Sequence, residues 1–144
     1  MGSLLSLRRQ GVAALIALDT SAIVAIALLE PEAKAFSEMI GAEHCLIGGP
    51  TVFESYLVLS SLPQRRGSEV LDKVLAAPRI DVVAFDRRVF EFARLAFDHY
   101  GRGRHRAKLN FGDCMAYAVA KSHDVPLLYK GNDFAHTDIA PAVP

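Results

Sequence analysis

The chain has 144 residues, of which 51% are hydrophobic and 22% charged, and its 16 lysines and arginines balance 16 aspartates and glutamates. This length suits one domain, and the hydrophobic content excludes general disorder. Zero net charge argues against a uniformly basic nucleic-acid binder. The two cysteines, Cys45 and Cys114, have neither zinc-binding nor disulfide-framework spacing, which favours a reducing, cytoplasmic location.

An apolar segment near the N-terminus, residues 11–29, is about long enough to span a bilayer, and two arginines precede it as in an export signal. Asp19 lies at its centre, where a carboxylate costs about 2.5–3.5 kcal/mol on membrane insertion. We therefore predict a buried strand followed by a helix, and no membrane association. Residues 1–10 then form an N-terminal arm before a domain that covers residues 11–144.

The predicted elements alternate between short apolar strands and longer helices. Strands are predicted at residues 12–18, 44–47, 80–85 and 127–129, with a last short strand around Ile139. Prolines, glycines and N-cap residues such as Asp86 and Asn110 predict helices over residues 20–29, 32–40, 51–62, 63–77, 87–100 and 110–123. This alternation predicts a three-layer α/β/α sandwich around a mostly parallel sheet of four to five strands.

Four acidic residues are predicted at the carboxyl edge of that sheet. Asp19 ends the first strand, Asp133 follows the fourth, and Glu54 and Asp113 lie in the first turns of two predicted helices. In a parallel sheet these positions converge on one edge. Two carboxylates 4 Å apart repel by about 4 kcal/mol at an effective dielectric constant near 20, so the cluster requires a cation. An all-oxygen ligand set selects Mg²⁺ or Mn²⁺ over zinc.

Helix capping is the competing explanation for the same acids. The pairs Thr51 and Glu54, and Asn110 and Asp113, have capping-box spacing, and acids in a first turn stabilise a helix dipole. Asp19 suits an N-cap, and the fourth acid suits a turn. The convergence of two strand ends with two helix starts is not required by capping, and it favours a common site.

A basic segment runs into the last predicted helix. Between residues 99 and 112 there is no acid, and the segment contains Arg102, Arg104, His105, Arg106 and Lys108. A solvated connection is the alternative, and Gly101 and Gly103 imply mobility. Because the segment joins the turn that carries Asp113, we predict that its side chains contact an RNA backbone.

These segments, taken together, resemble the PIN-domain ribonucleases, and most closely the VapC-type toxins. The resemblance is carried, in chain order, by residues 18–22, Glu54, residues 100–114, residues 127–134 and residues 137–139. It implies that Asp19, Glu54, Asp113 and Asp133 bind metal and catalyse. It also implies supporting roles for Thr20, Ser21 and Asn110, and a possible fifth acid in Asp138.

The resemblance further implies a Mg²⁺- or Mn²⁺-dependent endoribonuclease toxin that hydrolyses RNA phosphodiester bonds. Such a toxin forms a homodimer, for which the helices of residues 31–62 are candidates, and a hetero-oligomer with a VapB-type antitoxin that neutralises it. Two alternatives stay open. One is a receiver-like phospho-acceptor switch that uses Asp19 and Lys130, although no second acid adjoins Asp19, and the other is a module that binds RNA without cutting it.

Overall fold

A computed structural model describes residues 3–9, 11, 13–63 and 66–143. The strands are β1 (Leu15–Leu18), β2 (His44–Gly48), β3 (Ile80–Val83) and β4 (Leu127–Leu128). The helices are α1 (Leu4–Arg9), α2 (Thr20–Ala27), α3 (Ala33–Ala42), α4 (Gly49–Ser61), α5 (Gly67–Leu75), α6 (Arg87–Tyr100) and α7 (Phe111–Ser122). Residue 12, where the first strand was expected to begin, and residues 64 and 65 of the expected helix 63–77 lie outside the described residues. Near residue 139 the expected strand is replaced by an isolated pairing of Leu127 with Pro141.

The four strands form one parallel sheet in the order β3-β2-β1-β4. The N–H of Asp19 extends the pairing of β1 with β4, because it donates to the carbonyl of Leu128 at 3.0 Å. The segment 11–29 is divided between β1 and α2, and no helix in the described part of the chain is both long and apolar enough to cross a bilayer.

Helices cover both faces of the sheet. Ile16 and Leu18 of β1 are buried in a core with α2, α3, α4 and α5 on one face, whereas Ala17 is buried with α6 and α7 on the other. A parallel strand that is covered on both sides reads as a continuous apolar run, which is why the sequence shows no polar alternation there. The three-layer α/β/α prediction is confirmed.

Two of the predicted helix starts are confirmed and one is wrong. Asp86 caps α6 by accepting from the Val89 N–H at 2.9 Å, and Asn110 caps α7. By contrast, α4 begins at Gly49, two residues before Thr51, because Pro50 fits a first helical turn, where no intrahelical N–H bond is made. Thr51 and Glu54 are therefore not a capping box.

Candidate active site

Asp19 lies at the junction of β1 and α2 and is 5% exposed. It is the N-cap of α2, and its Oδ2 accepts from the Ser21 N–H at 3.1 Å and from the Ser21 hydroxyl at 2.5 Å. Ser21 Oγ in turn accepts from the Lys130 N–H at 3.0 Å. The carboxylate is thus fixed at the sheet edge from both α2 and the segment after β4.

Glu54 is held against the start of α2 by hydroxyl groups. The Thr20 hydroxyl donates to Glu54 Oε1 at 2.5 Å, and the fully buried Ser55 hydroxyl lies 3.2 Å from Thr20 Oγ1 and donates to the Thr51 carbonyl at 2.8 Å. This arrangement fixes the direction of the Glu54 side chain, which points from the second turn of α4 toward α7.

Gly112 provides the space into which the Glu54 carboxylate fits. A β-carbon built on Gly112 would lie 1.8 Å from Glu54 Oε2, far inside any contact distance. The glycine in the first turn of α7 is therefore required by close packing, since its backbone dihedral is not in the left-handed region.

Asp113 completes the capping box that begins α7. Its backbone N–H donates to Asn110 Oδ1 at 2.9 Å, and its Oδ2 accepts from the Asn110 N–H at 3.1 Å. At 8% exposure the side chain is nearly as buried as that of Asp19. Capping and clustering are both present at Asp113, so the two explanations offered by the sequence do not exclude each other.

The four acids interact electrostatically. Burial raises the pKa of Asp113 to about 7; its bond with Asn110 opposes this shift, whereas the charges of Asp133, Asp19 and Glu54 add to it. Burial likewise raises the pKa of Asp19 to about 6; the Ser21 hydrogen bonds oppose that shift and the charge of Glu54 adds to it. Asp133 is exposed at the rim, whereas the other three acids are buried or partly buried.

Asp138 has other partners in the structure. It accepts a hydrogen bond from the Tyr117 hydroxyl at 2.8 Å and forms an ion pair with Lys121 at 3.0 Å, one to two turns beyond Asp113 along α7. Desolvation raises the pKa of Asp138, but the hydrogen bonds from Lys121 and Tyr117 and the charge of Lys121 together outweigh it and lower the pKa. Its described contacts are with α7 and not with the four acids.

The basic segment is a closed loop. The Arg102 N–H donates to the Leu109 carbonyl at 3.0 Å, and the Leu109 N–H donates to the Tyr100 carbonyl at 2.9 Å. Gly101 is needed because a β-carbon there would lie 2.4 Å from the Phe97 carbonyl oxygen. Gly101 therefore has a role in close packing, and the mobility expected of this segment stays a prediction.

The predicted RNA-contacting side chains divide into two groups. Arg102, Arg106 and Lys108 line a polar cleft of about 290 Å³ together with the capping box of α7. Arg104 instead lies over the Phe97 ring, 4.8 Å from its centroid, and His105 Nδ1 accepts from the Ala107 N–H. The first group lines the cleft with Asp113 and Asp133, whereas Arg104 packs on α6 and His105 bonds within the loop.

Sequence reasoning assigned no role to two further residues of this cleft. Asn132 and His136 line it with Asp133 and Asp113. Both belong to the exposed segment after β4, and their nearness to Asp133 in sequence was the available signal. No spacing rule gives a direction to side chains in such a loop.

Residues 16–140 match the model of the PIN domain family. The chain belongs to the PIN-domain family. Ribonuclease VapC30 of Mycobacterium tuberculosis is 43% identical over 124 residues, which span 85% of this chain and 95% of that protein. The chain therefore belongs to the VapC ribonucleases within the PIN-domain family, and the family resemblance is confirmed.

Two solved structures have the fold of this PIN domain. The structure of Mycobacterium tuberculosis VapC20, described as a Sarcin-Ricin loop cleaving toxin, matches with a TM-score of 0.68 and 14% identity, covering 87% of this chain and 96% of its own. A chain of VapBC2 from Rickettsia felis, bound to a DNA fragment from its promoter, matches with a TM-score of 0.66 and 14% identity over 88% of this chain and 96% of its own. At this identity the likeness concerns the fold.

PIN-domain nucleases generally depend on a divalent metal, and the acids of this PIN domain fit one. Asp113 interacts through its charge with the other three carboxylates, and among the described residues no lysine, arginine or histidine forms an ion pair with any of the four. That donor set is all oxygen, as Mg²⁺ and Mn²⁺ prefer. In the described part of the chain no three His, Cys, Asp or Glu side chains stand in metal-binding geometry, so the fit concerns the chemistry of the donor atoms and not their spacing.

Proposed function

We propose that this chain is an endoribonuclease toxin that uses Mg²⁺ or Mn²⁺ to hydrolyse RNA phosphodiester bonds, with Asp19, Glu54, Asp113 and Asp133 as its catalytic acids. The observation that carries the proposal is the cluster of interacting carboxylates, two of them buried, that has no described cationic partner and lies beside a basic cleft wall. Membership of the VapC ribonucleases supports it independently.

The chain supplies the ligands and their orientation. When bound, a divalent ion lowers the pKa of a bound water and stabilises negative charge on the phosphate. The Ser21 and Thr20 hydroxyl groups fix the directions of the Asp19 and Glu54 carboxylates, and Asn110 fixes that of Asp113. Preorganised ligands of this kind need little rearrangement during the reaction.

The basic wall supplies substrate binding. Arg102, Arg106 and Lys108 lie on the cleft that contains Asp113 and Asp133, so phosphates bound there adjoin the acids. Contacts with the backbone position an RNA strand without reading its sequence. We expect target choice to depend on RNA shape and unpaired bases, as is usual for RNA recognition.

We propose a VapB-type antitoxin and a second copy of the chain as protein partners of this cytoplasmic toxin. The Rickettsia felis neighbour is a VapBC protein. Helix α4, within the predicted pairing region, exposes Phe53, Tyr56 and Leu57 to half or more of their area, and contiguous apolar surface of this kind marks protein interfaces. We expect a short reading frame immediately upstream to encode the antitoxin, and its product should co-purify with this chain and abolish its cleavage of RNA. A chain that is monomeric in solution would contradict the homodimer.

The decisive experiment incubates the purified chain with total RNA and maps new ends, with Mg²⁺ and with EDTA. We expect cleavage that EDTA abolishes, that added Mg²⁺ restores, and that Asp19→Asn lacks. RNA that is bound but never cut would support the binding-module alternative and contradict the proposal.

The receiver-like alternative is disfavoured by the position of Lys130. Its ammonium forms ion pairs with Glu30 and Glu32 instead of reaching Asp19. Incubation with a small phosphodonor followed by mass measurement tests this alternative, and a stable acyl phosphate on Asp19 would favour it.

A further inference from the structure

Lys130 lies two residues beyond β4, at the sheet edge that carries the acids. Its ammonium forms ion pairs with Glu30 and with Glu32, the latter at 3.1 Å, in the connection between α2 and α3. All three side chains are about one-third exposed. Glu32 Oε2 is buried and makes no hydrogen bond among the described residues, so the Lys130 charge compensates it. A buried carboxylate oxygen held in this way is costly to leave unpaired.

The backbone of the same residue reaches Asp19 through one hydroxyl group. The Lys130 N–H donates to Ser21 Oγ at 3.0 Å, and the Ser21 hydroxyl donates to Asp19 Oδ2 at 2.5 Å. A hydroxyl has a single hydrogen, and the N–H occupies one of its lone pairs. The bond from Lys130 thereby favours the orientation in which the Ser21 hydrogen points at the carboxylate.

We propose that Lys130 is a positioning residue for the divalent-metal site. Its ion pairs with Glu30 and Glu32 fix the segment after β4, so that its N–H holds the Ser21 hydroxyl against Asp19. The inference rests on the proposed metal-dependent function. It concerns the geometry of one ligand and leaves the identity of the ligands unchanged.

The ion pairs also keep a positive charge away from the acids. A lysine at this edge, if unpaired, would be attracted to four carboxylates and would compete with a cation for them. In the described residues its ammonium is bound by Glu30 and Glu32 instead. Breaking the ion pair from the glutamate side therefore both loosens the segment and releases the competing charge.

The test measures Mn²⁺ binding to the purified full chain by titration calorimetry, without RNA. Lys130→Met and the double variant Glu30→Gln/Glu32→Gln should each weaken Mn²⁺ affinity by about 3- to 10-fold, at or below the low end of effects measured for groups that orient a metal ligand. Lys130→Arg should bind within about twofold of the unmodified chain. Lys121→Met, which breaks an ion pair between a similarly exposed lysine and the more exposed Asp138, is the control and should bind normally.

The signs of these effects separate positioning from simple electrostatics. If only distant charge mattered, removing the Lys130 charge would strengthen cation binding and removing the two glutamate charges would weaken it. A positioning role predicts weaker Mn²⁺ binding both in Lys130→Met and in the glutamate double variant. In addition, Lys130→Met should add little to Ser21→Ala, because both act through the same hydroxyl and effects along one network are not additive.

Each contrary result is specific. Normal or tighter Mn²⁺ binding by Lys130→Met, or multiplicative losses when it is combined with Ser21→Ala, would overturn the positioning role alone. If Lys130→Met does not fold, Lys130→Gln, which also removes the positive charge, provides the same comparison. An unmodified chain that binds no Mn²⁺ would overturn both this inference and the proposed function.

Discussion

The carboxylate of Glu54 occupies the place where Gly112 would carry a side chain: a β-carbon there would lie 1.8 Å from Glu54 Oε2. Helix α4 and helix α7 are thus brought together by an acid on one and the missing side chain on the other. Because the obstructed group is the end of a flexible side chain, a larger residue at position 112 would displace the carboxylate and leave the backbone in place.

Gly112→Ala should therefore damage the site and spare the fold. We expect RNA cleavage to fall by about 10- to 100-fold, since misplaced ligands cost this much in metal sites. Stability should be unchanged or up to about 1 kcal/mol higher, because alanine is the better helix former. Cleavage rate and the urea midpoint are the measurements. Gly41→Ala, in α3 with open space around the new β-carbon, is the control and should leave cleavage unchanged; equal cleavage by both variants would contradict the packing argument.

Asp113→Asn separates catalysis from capping. Asparagine can still accept the Asn110 N–H, so the capping box persists while one charge leaves the cluster. We expect cleavage to fall at least about 100-fold, and the metal-free chain to be as stable or more stable by about 1–2 kcal/mol, a trade common at functional sites. A clear loss of metal-free stability would show that capping is the main role of Asp113. Undiminished cleavage would remove it from the proposed catalytic acids.

The stability of the metal-free chain should fall as pH rises. Both Asp19 and Asp113 have a pKa above the ordinary 3.8, at about 6 and about 7, so the folded state binds more protons than the unfolded state between these limits. The stabilisation from these groups is present at low pH and is lost as pH passes through the folded-state values. We expect the free energy of unfolding in EDTA to drop by about 1–3 kcal/mol between pH 5.5 and pH 8.

Urea denaturation at the two pH values measures this drop. Asp113→Asn should flatten the dependence, and saturating Mn²⁺ should remove it, because the ion favours the ionised carboxylates. A metal-free chain that becomes more stable toward pH 8, with the variant behaving identically, would show that the acids are not coupled as described.

Arg106 and Arg104 should differ in their effect on RNA binding, although both lie in one loop. In an Asp19→Asn background that binds without cutting, Arg106→Ala should weaken binding and reduce the slope of log affinity against log salt by about 0.7–1. Arg104→Ala should leave affinity unchanged and cost about 0.5–1 kcal/mol of stability, because its guanidinium lies over Phe97. Fluorescence anisotropy with a labelled RNA at several salt concentrations makes the comparison, and identical salt slopes would contradict the assignment of Arg106 to the cleft.

Features set by neighbouring residues could be predicted from the sequence. The caps at Asp86 and Asn110 depend on a side chain and an N–H three residues away, and both were predicted. The gathering of acids at one edge followed from parallel strands alone. Two local patterns predict different starts for α4, one at Thr51 and one at the glycines before Pro50. The helix begins at Gly49, as the second pattern indicates.

Features that join distant residues could not be predicted in the same way. The ion pair of Lys130 with Glu30 spans 100 residues, and no local pattern indicates it. Asp138 is of a residue type that binds metals, but in the structure its partners are Tyr117 and Lys121 of α7. Gly101 packs against the Phe97 carbonyl, and no pattern in the neighbouring residues indicates this contact.

The closure of residues 101–109 onto Tyr100 has a consequence for how fast a substrate is captured. Because the loop is tied at both ends and leads directly into Asn110, the spacing between the basic wall and the acids is already set before any strand arrives. A preformed cleft with opposite charges on its two sides needs no folding step on encounter, so diffusion and ionic strength should govern the association rate.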